Sequence, residues 1–143
     1  MARPDPALLD PTRYPFACEI ATRFADLDTN MHLNNVALAG IIEDARVRFH
    51  AASGYHVAME GWTAMVANLT IDYVGQAFYP APVTLHIGAT EVGRTSYRVA
   101  QLVCQADSAV ALARSVMVCV KDDRPFPIPD SFRESVKPWM FRP

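Results

Sequence analysis

Residues 23–46 read RFADLDTNMHLNNVALAGIIEDAR, and two patterns meet inside this stretch. Its first half is polar. Asp26, Asp28, Thr29, Asn30, Asn34 and Asn35 have short side chains that bond nearby backbone and so favour turns and caps. From Asn35 to about Ala52 the pattern turns helical. Leu38, Ile41, Ile42, Ala45, Phe49 and Ala52 recur at spacings of three and four, which puts them on one face. Val36, Ala37, Ala39 and Val47 carry apolar character round much of the rest, which predicts a helix wrapped by other structure. Asn34 or Asn35 suits the N-cap, and Gly54 suits the stop just past the end.

Upstream, Phe16, Cys18, Ile20, Thr22 and Phe24 alternate with Ala17, Glu19, Ala21 and Arg23, the period of a first strand with one apolar face. Residues 1–15 hold four prolines and read as an arm lying over the surface. Downstream of a loop around His56 to Gly61, four strand-like runs follow in quick succession. Thr63 to Tyr73 alternates, Gly75 to Pro82 interrupts, and Val83, Leu85, Ile87 and Ala89 resume. The tetrad Gly93-Arg94-Thr95-Ser96 marks a tight turn before Tyr97, Val99, Gln101 and Val103. Val110 to Val120 is apolar on both faces apart from Arg114 and Ser115, so it belongs inside the sheet. Residues 122–143 form a Pro-rich tail with room for one short helical turn.

The order is strand, long apolar helix, then a four-strand meander, and short turns join antiparallel neighbours. That is an α+β chain. A curved antiparallel sheet of five or more strands around one central helix accommodates it, and so does an open sandwich with the helix on one face. A length of 143 residues fits a single domain spanning residues 1–143. Hydrophobic residues at 51% and charged residues at 20% are ordinary for a soluble globular chain. A net charge of -2 supplies no global basic field for nucleic acid or anionic membrane, although a local basic site for a phosphorylated ligand remains open. No apolar run reaches a membrane span. The Pro- and Asp-broken N-terminus lacks leader character, which predicts a cytoplasmic protein. Cys18, Cys104 and Cys119 lack Cys-x-x-Cys spacing and read as small core residues in a reducing compartment.

The chemistry concentrates before the helix. A helix start offers unpaired N–H groups and the positive end of a dipole, suited to an oxyanion. A carboxylate in the preceding loop can face the same spot as base or nucleophile. Asp26, Asp28 and His32 would also serve as metal ligands, but no second cluster supports that use. Loop and cap chemistry alone accounts for the same residue types.

The stretch resembles the signature of the 4-hydroxybenzoyl-CoA thioesterase family, which has the hotdog fold. Arg23, Phe24, Asp26, Asp28, His32, Asn34, Asn35, Glu43, Ala45 and Arg46 stand in register with that pattern. Ile71-Asp72-Tyr73, the Gly93 to Ser96 turn, Arg124-Pro125 and Ile128-Pro129 extend the likeness over residues 16 to 133. Met31 stands where the pattern has Gly, and Leu38 where it has Tyr. The resemblance implies hydrolysis of a small or medium acyl-CoA, with coenzyme A as part of the substrate and neither metal nor organic cofactor. It implies Asp28 as base or nucleophile, with Asp26 anchoring the loop. His32 then orients thioester or water, or simply packs the loop. Asn35 contacts substrate or caps the helix, Asn34 lies beside it, and the N–H groups near Asn35 and Val36 hold the oxyanion. Arg94, Thr95 and Ser96 either meet CoA phosphates or form a plain turn. Glu43 competes as a helix base; its other reading is an internal salt bridge to Arg46. The family pattern also implies a homodimer or homotetramer with shared sites. A hotdog hydratase or dehydratase on acyl-CoA or acyl carrier protein, and a non-catalytic acyl-CoA-binding protein, are the competing expectations.

Overall fold

The sequence's one long helix forms where its apolar spacing places it. In the computed structural model, which describes residues 3–58 and 60–143, α1 runs Asn35–Ala52. Met1, Ala2 and Met59 lie outside the described residues, as do the side chains of His56 and Val57. Asn34 caps α1: its side chain accepts from Val36 N at 2.8 Å and Ala37 N at 3.4 Å. Past the C-terminal end Gly54 takes φ 74, a left-handed conformation that glycine enters without steric cost. A short α2, Tyr55–Ala58, follows.

The strands are β1 (Phe16–Ile20), β2 (Thr63–Tyr73), β3 (Val83–Val92), β4 (Ser96–Gln105), β5 (Ser108–Lys121) and a two-residue β6 (Arg124–Pro125). All pair antiparallel in the order β1-β3-β4-β5-β2, with β6 also on β5. The tail adds α3, Asp130–Val136, and one 3-10 turn. The expected interior position of the Val110 run holds, because β5 lies between β4 and β2.

The sheet curls round α1 and buries Leu38, Ile42, Ala45 and Phe49 against Leu85, Ile87, Val99, Val103 and Ala113. This is the hotdog arrangement. Three polar contacts pin the helix along its length. Tyr73 Oη donates to the Asn35 carbonyl at 3.1 Å, Gln101 Nε2 donates to the Ile42 carbonyl at 2.9 Å, and Tyr97 Oη lies 2.9 Å from His50 Nε2. Burial pushes the Tyr97 hydroxyl well above its ordinary pKa, so it is held as a neutral phenol. On the convex side the N-terminal arm covers the sheet, with Leu8, Leu9 and Tyr14 over Ala100, Leu102, Cys104 and Leu112. Cys104 and Cys119 are buried and Cys18 is half-buried, all as free thiols.

Four expectations need correction. The strands after the helix are not a four-strand meander: β3, β4 and β5 are, but β2 crosses to the far side to pair with β5, and β3 takes β1 as its other neighbour. The first strand stops at Ile20, and Phe24–Asp26 is a 3-10 turn. Thr22 Oγ1 donates to the Ala81 carbonyl and Asp26 accepts from Arg23 N, so local side-chain bonds divert the chain from the sheet. Simple alternation through β2 also fails. A bulge at Ala67 turns Ala64 and Val66, then Leu69 and Ile71, to the helix side. Finally, α1 is not wrapped all round. Val36 at 74% and Val47 at 54% are open to solvent, and Glu43 is exposed beside them.

Candidate active site

The loop from Leu27 to Asn34 is tied at both ends. Leu27 and Leu33 bridge each other, and Asn34 N donates to the Asp26 carbonyl at 2.7 Å. Asp26 is buried and anchors this loop through its carboxylate, which accepts Arg23 Nη2 at 2.8 Å and Arg23 N at 3.0 Å. The Arg23 hydrogen bond holds the Asp26 carboxyl below the usual carboxylate range. That contribution to stability is present at neutral pH and is lost as acid protonates the group.

Asp28 opens the tight turn itself. Its Oδ1 accepts from Asn30 N at 2.8 Å and His32 N at 3.1 Å, while its own N–H donates to the His32 carbonyl. Oδ2 makes no hydrogen bond among the described residues. Met31 completes the turn at φ 61, with its side chain largely in water. This is the position where the resemblance expects Gly. A non-glycine residue there is held at a cost on the order of 1 kcal/mol. Met31→Gly is therefore expected to raise the urea unfolding midpoint, by about 0.5–1 kcal/mol in stability. An unchanged or lower midpoint would show that the Met31 side chain contributes packing that exceeds the backbone strain.

A cleft of about 300 Å³ is lined by Asp28, His32, Asn35, Leu38, Tyr73 and Gln76, among others. Three expected site residues thus meet in one place. The His32 ring packs edge-on against Phe78, centroids 5.3 Å apart, so its ring is held by loop packing at the cleft wall. The Asn34 carboxamide is spent on the cap, which also occupies Val36 N–H. Asn35 N–H has no acceptor among the described residues, so the free donor at the helix start belongs to Asn35 and not to Val36. Val36 and Asn34 line a separate groove with Arg23, Asp44 and Arg48.

Arg94, Thr95 and Ser96 lie elsewhere. The β3 strand starts beside Ile20, near the loop, and spans ten residues before the turn, about 30 Å at strand rise. There the turn does structural work: Gly93 N donates to Ser96 O, Cys119 N to Thr95 O and Ile128 N to Arg94 O. Glu43 is exposed and makes no ion pair with Arg46, against the salt bridge read from their spacing. On the same helix Asp44 and Arg48 pair with each other at 3.0 Å. Residues that sequence reasoning left out of the site are Tyr73 and Gln76, which line the cleft, and Phe78, which packs on the His32 ring. The aromatic pair Phe78-Tyr79 in a Pro-rich break with no core duty was the available signal. Among the described residues, no three His, Cys, Asp or Glu side chains gather as a metal site requires. Nor is any described helix long and apolar enough to cross a membrane.

A helix gripped by a curled antiparallel sheet, with a carboxylate-bearing loop at its N-terminus, defines a hotdog protein of the thioesterase type. Residues 22–136 match the family model of the thioesterase-like superfamily, and the chain belongs to that superfamily. Among solved structures it is similar to a predicted thioesterase from Bacillus stearothermophilus at 28% identity and TM-score 0.80, covering 90% of this chain and 98% of the other. A thioesterase of Thermus thermophilus, solved in complex with coenzyme A and zinc, is 26% identical with TM-score 0.80, covering 92% and 98%. The DHNA-CoA thioesterase of Staphylococcus aureus, at 20% identity and TM-score 0.72 over 83% and 86%, shares the fold. No curated protein matches the sequence.

Proposed function

We propose that the protein hydrolyses the thioester of a small or medium acyl-CoA to the free acid and CoA, in the cleft at the start of α1. The observation that carries this reading is the pairing of a loop carboxylate with an unspent helix N–H in one cleft of about 300 Å³. Asp28 Oδ1 is fixed by two backbone N–H groups, which leaves Oδ2 to act. As general base it takes a proton from water as the oxygen adds to the thioester carbonyl carbon. Asn35 N–H and the helix dipole stabilise the oxyanion. When the C–S bond breaks, the thiolate recovers the proton and CoA departs. Direct attack by Oδ2, forming an anhydride that water then cleaves, gives the same products. His32 borders the reacting carbonyl, and Leu38 and Val110 supply an apolar wall for the acyl group. None of these steps requires a metal or organic cofactor. Thiol release from a panel of acyl-CoAs, from acetyl to decanoyl and aromatic acyl groups, tests the reading; no release from any member contradicts it.

A homodimer belongs to this proposal. Strand β2 is a free edge bearing exposed Met65, Val66 and Leu69, the unpaired surface that a second copy would cover. The Tyr73 end of β2 meets the site at Asn35, while Met65 lies level with Val118, which also pairs with Ser96. Antiparallel pairing of two such edges about a two-fold axis would set the Arg94, Thr95 and Ser96 turn of one copy at the site end of the other. In that arrangement the turn can meet CoA phosphates, which the fork of Arg94 suits. Dimers could pair again into tetramers. Sedimentation at micromolar concentration is expected to show a dimer or a multiple of it; a monomer would contradict the shared site.

A further inference from the structure

We propose that Arg46 reads the far end of the acyl group, and that the preferred substrates carry a terminal carboxylate. This rests on the thioesterase reading and names the substrate class of the same site. Arg46 is only 6% exposed, its Nη1 is sealed from solvent, and that atom has no hydrogen-bond partner among the described residues. A buried guanidinium donor without an acceptor is costly, and guanidinium does not escape by losing its proton. The side chain lines a hollow of about 390 Å³ with Glu43, Val47, His50, Tyr55 and Met65. His50 Nε2 is engaged by the Tyr97 hydroxyl. Glu43 stands exposed in the same wall, and its charge opposes the downward pull of burial on Arg46 without bonding to it. The hollow is therefore bordered by a guanidinium that no acceptor among the described residues engages, a group that carboxylates match.

The hollow and the cleft lie on one seam between β2 and α1. Strand β2 runs antiparallel alongside α1, with Tyr73 at Asn35 and Ala64 to Val66 beside Arg46 and His50. Between the two ends β2 carries Leu69, which is exposed, and Ile71, which is half-buried against the core. Asn35 and Arg46 are about 16 Å apart along the helix axis. An Arg side chain leans back toward the N-terminus, leaving roughly 10 Å from Asn35 N–H to the guanidinium. At about 1.2 Å per extended bond, a dicarboxylic acyl group of roughly five to seven carbons spans that gap with a hydrogen bond at its far end.

Adipyl-CoA and hexanoyl-CoA have equal chain length and differ only at the terminus, which makes them the deciding pair. The wild-type protein is expected to hydrolyse adipyl-CoA with kcat/KM about tenfold or more above hexanoyl-CoA, the worth of a charge-assisted hydrogen bond. Arg46→Met should reverse the order, mainly through KM for adipyl-CoA, and Arg46→Lys should keep part of the preference. A wild-type preference for hexanoyl-CoA, or one that Arg46→Met leaves unchanged, would overturn the proposal. Should Arg46→Met not fold, the wild-type ratio and Arg46→Lys decide. If neither thioester releases thiol, the hydrolase reading fails and both compounds become stable ligands. Calorimetry then gives the answer: tighter binding of adipyl-CoA, weakened by Arg46→Lys, supports the carboxylate site, and equal binding overturns it.

Discussion

Asp28→Asn is expected to lower kcat by about a hundredfold or more while leaving substrate binding largely intact. The geometry makes this a clean substitution. The Asn carboxamide oxygen can keep both bonds now made by Asp28 Oδ1, to Asn30 N and His32 N, so the turn and the helix start stay in place. What disappears is the carboxylate at the second position, and with it either the base or the nucleophile. Glu43→Gln is the informative partner experiment, because a helix carboxylate is the rival base. Glu43 is exposed, forms no ion pair among the described residues and is absent from the residues lining the Asp28 cleft, so its replacement should leave turnover of an acyl-CoA without a terminal charge, such as hexanoyl-CoA, near normal and stability within about 0.5 kcal/mol. The expectation that Glu43 fills a buried contact does not survive its exposure. Steady-state kinetics on both folded variants separates the assignments. Near-normal turnover for Asp28→Asn with loss for Glu43→Gln would make the helix carboxylate the base and Asp28 a loop anchor.

Phe49→Ala carries the largest expected effect on stability, a loss of about 3–5 kcal/mol. Phe49 is fully buried on the core face of α1, and its ring meets Phe16 of β1 edge-on at 5.7 Å and Trp139 of the tail at 6.2 Å. One side chain thus joins the helix, the edge strand and the C-terminal segment, three pieces far apart in sequence. Truncation opens a cavity that an already packed sheet cannot collapse to fill. Against a total stability of roughly 5–15 kcal/mol for a domain, that is a large share. Urea unfolding followed by circular dichroism measures it; a loss under about 1 kcal/mol would mean the helix is not gripped as described.

Much of this was legible because it rests on local periodicity. The helix bounds, the Asn34 cap and the interior place of β5 follow from spacing and composition that the tertiary structure left undisturbed. The misses have one origin in common: they depend on neighbours that a linear pattern does not contain. The bulge at Ala67 reverses faces within β2 without any residue that signals it. Thr22 leaves the strand because a carbonyl at Ala81, far along the chain, accepts its hydroxyl. Glu43 and Arg46 share one helical turn, yet the first points to water and the second into a hollow beneath β2. In the site, residue types indicated a carboxylate beside a helix start. Which N–H remained free, Asn35 or Val36, was decided by the rotamer of Asn34. The turn at Arg94 was read into the site from resemblance, and the protomer places it at the opposite end of β3.

Hydrolysis driven by Asp28 is tested best by the release of free thiol from acyl-CoA by the purified wild-type protein, with Asp28→Asn as the paired control. Steady thiol release is expected, matched one-for-one by free acid without added metal or organic cofactor, and falling about a hundredfold or more in the Asp28 variant. Thiol release at equal rates from both proteins, or none above the spontaneous background from either, would contradict it.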